Sequence, residues 1–159
     1  MQIRIIAVGK LKEKYWQEAI REYSKRIRPY AVVEIKEVVE EKVSARPSPL
    51  EIEQALHKEG VRIAKLIPSF AYIIPLAITG ERLSSEELAS FLDQLTLTGK
   101  SKIVFIIGSS YGISREILAK GDFILSFSPL TFPHQLMRVI LLEQIYRSMK
   151  ILKHEPYHK

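Results

Sequence analysis

The chain contains no cysteine, so it can form no disulfide and offers no thiolate to a metal or to catalysis. That absence agrees with a reducing cytoplasm. Its four histidines have no carboxylates clustered around them, which leaves no spacing suited to a metal ion. Long apolar runs are missing as well. No stretch approaches the ~20 residues that a membrane helix needs. The amino-terminal MQIRIIAVGKLKEKYW reaches charge too early for a signal peptide. Seven glycines and eight prolines in 159 residues exclude a low-complexity chain. Two glycine motifs are also absent. Gly9-Lys10 lacks the upstream glycine of a phosphate loop, and no GxGxxG follows the first apolar run, so the usual nucleotide folds are disfavoured. These absences together predict a soluble cytoplasmic protein with no metal and no membrane partner.

What is present fits one domain spanning 1–159, with 47% apolar and 26% charged residues. Twenty-four Lys and Arg against eighteen Asp and Glu give a net charge of +6, which suits a polyanionic partner such as nucleic acid. Apolar runs at Ile3 to Val8, Val32 to Val39, Ala71 to Ile78, Ile103 to Ile107 and Phe123 to Phe127 read as strands. Between them, helical spacing covers Glu13 to Ile27, Leu50 to Leu66 behind Ser48-Pro49, a segment capped by Ser84 and Glu87, and Arg115 to Lys120. A last helix starts near Pro133. Strict alternation of strand and helix predicts an α/β fold, a mainly parallel sheet with helices on both faces.

In such sheets ligands settle beyond the carboxyl ends of the strands, which selects Leu76 to Gly80, Gly108 to Gly112 and Phe127 to Phe132. The two glycines allow close backbone approach, or simply a tight turn. On the last helix Glu143, Arg147 and Lys150 form a wet stripe, while Met137, Leu141, Leu142, Ile145 and Met149 lie away from it. An apolar sector that broad predicts burial against the sheet on one side and against a second copy on the other. His134 and Arg138 share a face in the first turns of that helix, as a functional pair or as a hydrogen-bonded histidine and a paired arginine. The tail HEPYHK would fray by default. It nevertheless carries Tyr157, able to stack on a base, and His158, able to move a proton. Arg21, Lys25, Arg26 and Arg28 form a basic cluster, either an RNA contact or a solvated helix face.

Taken together, MQIRIIAVGKLKEKYW, IVFIIGSSYG, LSFSPLTFPHQLMRVILLEQIYR and the terminal YHK resemble the ribosomal RNA large-subunit methyltransferase H family, within the SPOUT methyltransferases, over essentially the full length. The resemblance implies a C-terminal trefoil knot, a homodimer, and S-adenosylmethionine as methyl donor to N3 of a pseudouridine in 23S ribosomal RNA on assembled ribosomes. It further implies cofactor contacts at Leu76, Gly108, Phe127, Ser128, Pro129, Leu130, Thr131 and Phe132. His134, Arg138, Tyr157 and His158 match polar positions that the family places around the reaction centre. Their chemistry suits His158 or His134 to assist deprotonation, Arg138 to steady negative charge or phosphate, and Tyr157 to position the base. Two departures stand out. Ser109 occupies a position that is usually a second glycine, and the tail reads His154-Glu155-Pro156-Tyr157-His158 where the family usually has NHPYH. Two other readings remain open at this stage: a SPOUT enzyme acting on transfer RNA, and a non-catalytic ribosome-binding protein.

Overall fold

The computed structural model describes every residue, Met1–Lys159. Ten elements alternate along it: β1 (Gln2–Val8), α1 (Lys14–Ile27), β2 (Val32–Val38), α2 (Pro49–Ala64), β3 (Tyr72–Arg82), α3 (Ser85–Leu97), β4 (Lys102–Ile107), α4 (Arg115–Ala119), β5 (Leu125–Ser126) and α5 (His134–Leu152). The sheet order is β2-β1-β4-β3-β5, and all four pairings are parallel. Two central strands, β1 and β4, are apolar on both faces because helices cover both. Ile3, Ile5, Ala7, Ile103, Phe105 and Ile107 point toward α1, α3 and α5, whereas Ile6, Val8, Val104 and Ile106 point toward α2 and α4. The two-residue period of a strand thus divides one apolar run between two cores.

Helix boundaries follow local chemistry. Ser48 caps α2 by accepting from Glu51 N, with Pro49 in the first turn, and Ser84 with Glu87 closes a reciprocal capping box on α3. Two strands differ from the sequence-based expectation. β5 is only Leu125–Ser126, because Asp122 and Phe123 both direct their amides at the Ile73 carbonyl and Phe123 packs on Phe91 instead of extending the ladder. β3 runs on to Arg82, and because Leu125 pairs with Leu76 and again with Glu81, the register shifts across residues 77–80. That irregular stretch forms one wall of the cavity described next.

α5 is buried along Met137, Arg138, Leu141, Leu142, Ile145, Ser148 and Met149. Its opposite side keeps Leu136, Val139 and Ile140 half-buried.

Candidate active site

A cavity of about 440 Å³ opens between the irregular middle of β3 and the carboxyl ends of β4 and β5, within the size range of small-molecule sites. Three chain segments supply most of its wall: Leu76 to Thr79, Ile107 to Ile113, and Leu125 to Phe132. Leu118, His134 and Met137 complete it. The middle segment is a tight turn in which Gly112 N donates to Ser109 O at 2.9 Å. A Cβ at Gly108 would lie 2.2 Å from the Gly112 carbonyl oxygen, so this approach of backbone to backbone requires glycine. Gly112 itself has φ +97°, in the left-handed region. The third segment is shaped by its own hydroxyls: Ser128 Oγ accepts from Leu130 N at 2.9 Å, and Ser126 Oγ donates to Ser128 O at 3.4 Å. The wall carries no carboxylate, lysine or arginine, and His134 brings the only imidazole. Such a site binds through shape, apolar contact and main-chain polar groups.

Of the residues singled out for a cofactor, Leu76, Gly108, Phe127, Ser128, Leu130, Thr131 and Phe132 line this cavity. Pro129 is exposed in the same loop and is not part of the wall. Ile113, Leu118 and Met137 also line it. Nothing local in the sequence marks them, because ordinary core residues become cavity wall only through the packing of α4 and α5. Tyr111 lay within the selected turn without being distinguished from its neighbours.

His134 and Arg138, one helical turn apart, face different surroundings. His134 opens α5 beside the end of β1: a Cβ at Gly9 would sit 3.1 Å from His134 Nε2 and 3.5 Å from Glu40 Oε2. Arg138 is fully buried. Its Nη1 donates to Glu37 Oε1 at 2.9 Å, and its Nη2 donates to the carbonyls of Val8 at 3.1 Å and Gly9 at 2.6 Å. Burial lowers the pKa of the guanidinium from its ordinary value, against the opposing pull of the Glu37 carboxylate. Only Nε lacks a partner. Within one chain, then, Arg138 fastens the end of β1 to α5, and it is not on the cavity wall.

Tyr157 and His158 lie at the far end of α5. Thirteen residues separate His134 from Arg147, against which both pack, a span of about 20 Å along a helix. The tail does not fray as expected by default. Glu155 accepts from Tyr30 Oη at 2.7 Å and from Lys150, His158 Nε2 meets Glu86 Oε1 at 2.7 Å, and Arg147 Nη1 meets His158 Nδ1 at 3.2 Å. A ring carrying its proton on Nε2 and a lone pair on Nδ1 satisfies both contacts of His158. The Tyr157 hydroxyl donates to Glu143 Oε1 at 3.1 Å, with Arg147 stacked 4.8 Å from its ring. Burial first, then hydrogen bonds with Tyr23 and Glu143, push the Tyr157 phenol up to about 12. It stays protonated at neutral pH and acts as a donor. The stripe of Glu143, Arg147 and Lys150 thus carries the tail instead of meeting open water. On α1, Arg21, Lys25, Arg26 and Arg28 are exposed, with Arg26 paired to Glu22 at 2.7 Å and lying over Tyr23 and Tyr146.

No helix is long and apolar enough to cross a membrane, and no group of three His, Asp or Glu side chains is placed to hold a metal ion. A family model described as predicted SPOUT methyltransferase matches residues 1–158. The ribosomal RNA large subunit methyltransferase H of Carboxydothermus hydrogenoformans is 54% identical over 160 residues, covering the whole of both chains. A relative in Methanococcus maripaludis is likewise 54% identical over 159 residues and the full length of both. Among solved structures, the Legionella pneumophila protein Lpg2936, solved with bound SAM, superposes with a TM-score of 0.49 at 12% identity, over 91% of this chain and 65% of that one.

Proposed function

The chain belongs to the SPOUT methyltransferases, and from that premise we propose that it methylates ribosomal RNA of the large subunit with S-adenosylmethionine as donor. The acceptor in this reading is N3 of a pseudouridine in 23S ribosomal RNA, presented on the assembled ribosome. The observation that carries the proposal is the cavity built from the irregular stretch of β3 and the segments after β4 and around β5, whose glycine turn and hydroxyl-shaped loop bring main-chain groups to an apolar pocket. An amphipathic nucleoside with an amino-acid arm fits that chemistry: its base needs apolar walls, and its polar edges need backbone donors and acceptors. We assign Leu76, Gly108, Phe127, Ser128, Leu130, Thr131 and Phe132 to hold it, with Pro129 stiffening the loop. When bound, the donor supplies an electrophilic methyl group.

The protein's own part is alignment, exclusion of water and removal of a proton. The pseudouridine imide attacks well only after N3–H is lost. His134 is the one imidazole lining the cavity, and we assign it the removal of that proton. Arg138 acts through position, because it holds the Gly9 carbonyl and so the β1 end against His134. Tyr157 and His158 are about 20 Å from their own cavity along α5, so their part in the reaction belongs to a neighbouring subunit's cavity. Leu136 and Val139, left half-buried on a 19-residue helix, support the homodimer that this requires. The exposed cations of α1 supply affinity for RNA backbone. The trefoil knot of the family is part of the same proposal.

Calorimetric titration with S-adenosylmethionine tests the site directly. Saturable binding at one site per chain is expected. Absence of binding would favour a ribosome-binding protein without catalysis.

A further inference from the structure

Glu59 is the one carboxylate in the chain that is almost fully buried, at 3% exposure. It lies on α2, outside everything assigned above. Its two oxygens face two different loops. Oε2 accepts from Ser109 Oγ at 3.0 Å, in the turn that walls the cavity, and Oε1 accepts from Glu41 N at 2.9 Å, in the loop after β2. Neighbouring side chains of α2 hold that same loop: Arg62 donates to the Val39 carbonyl at 3.0 Å and to Glu41 Oε2 at 2.7 Å. The loop also carries Glu40, whose carboxylate reaches the Gly9 and His134 junction. α2 comes this close because residue 60 is glycine, where a Cβ would lie 2.5 Å from Ser114 Oγ.

Burying a carboxylate costs free energy unless its oxygens are satisfied. Burial pushes the Glu59 carboxyl above its ordinary range, and the hydrogen bonds from Glu41 and Ser109 pull the other way. A side chain that served only packing would be better apolar here. An acceptor with two oxygens set apart can instead tie two loops that have no direct bond to one another. The Ser109 hydroxyl gives the clamp its second anchor.

We propose that Glu59 is a positioning residue: its buried carboxylate clamps the Gly108 to Gly112 turn to the loop after β2, and so holds the cavity wall and the surroundings of His134 in register. The affinity part of this inference rests on the cofactor reading given above. The clamp itself does not.

The test compares wild type with Glu59→Ala, Glu59→Gln and Ser109→Ala, each checked for a cooperative melting transition. Amide hydrogen exchange at residues 109–113 reads the clamp without any ligand, and calorimetry reads the affinity for S-adenosylmethionine. Glu59→Ala is expected to speed exchange of the turn and to weaken binding by about tenfold, the size of one lost hydrogen bond to a charged group. Glu59→Gln is expected to restore most of both, since its amide oxygen accepts from Glu41 N and its amide nitrogen donates to Ser109 Oγ. A merely structural carboxylate would show no such rescue paired with affinity. Ser109→Ala, in a half-exposed turn, keeps the test open if Glu59→Ala fails to fold, and is expected to speed exchange in the same residues. Unchanged exchange in a folded Glu59→Ala protein, or in Ser109→Ala, overturns the clamp. Wild-type protein that takes up no S-adenosylmethionine overturns the methyltransferase reading instead, and the exchange data still decide the clamp.

Discussion

Among single side chains, Arg138 is the one whose removal leaves most behind. Its loss would expose nothing to water but would strand two buried carbonyls, Val8 and Gly9, and release Glu37. Arg138→Ala is therefore expected to lower stability by about 2–4 kcal/mol in urea denaturation, the range for unpaired buried polar groups. A loss under about 0.5 kcal/mol, the size of an ordinary surface change, would contradict the structural role. The sequence puts His134 and Arg138 one helical turn apart through their four-residue spacing, but leaves the partners of Arg138 hidden. Those partners lie about 100 to 130 positions away in the chain, a separation that no local pattern encodes. For the same reason Glu59 reads as one more helix carboxylate until Ser109 and Glu41 are seen around it.

Elements were far more legible than contacts. Ser48 with Pro49 and the Ser84 with Glu87 box mark helix starts by chemistry that acts within four residues, and both helices begin where those signals place them. β5 is shorter than its apolar run predicts, because such a run does not reveal whether its amides reach a neighbouring strand or a single carbonyl. The glycine turn after β4 gives a sharper test, since its two glycines are needed for different reasons. Gly108→Ala drives a methyl group into the Gly112 carbonyl and is expected to abolish donor binding, whereas Gly112→Ala meets open space. Only the left-handed backbone opposes the latter, at about 1–2 kcal/mol. Equal effects of the two substitutions on calorimetric affinity would show that the turn does not set the shape of the cavity.

At the level of the whole molecule, alternation of strands and helices leads to a parallel sheet with two cores, while the order β2-β1-β4-β3-β5 and any knotting lie beyond periodicity. Assembly is the larger question that the geometry raises. The tail is docked on the α5 end far from its own cavity, so under the proposed function its residues would have to serve a second chain. Mixing a chain shortened by residues 154–159 with a Gly108→Ala chain, followed by subunit exchange, distinguishes the arrangements. If the tail serves the partner, neither variant methylates alone and the mixture does, because the intact cavity of one chain meets the intact tail of the other. If the tail serves its own chain, the mixture stays inactive.

The central claim concerns chemistry on RNA, and mass spectrometry of ribosomal RNA tests it most directly. Assembled ribosomes incubated with the protein and isotope-labelled S-adenosylmethionine should carry the labelled methyl group on a single pseudouridine of the large-subunit RNA. Large-subunit RNA that remains unlabelled, or label found in transfer RNA supplied alongside, would contradict the account.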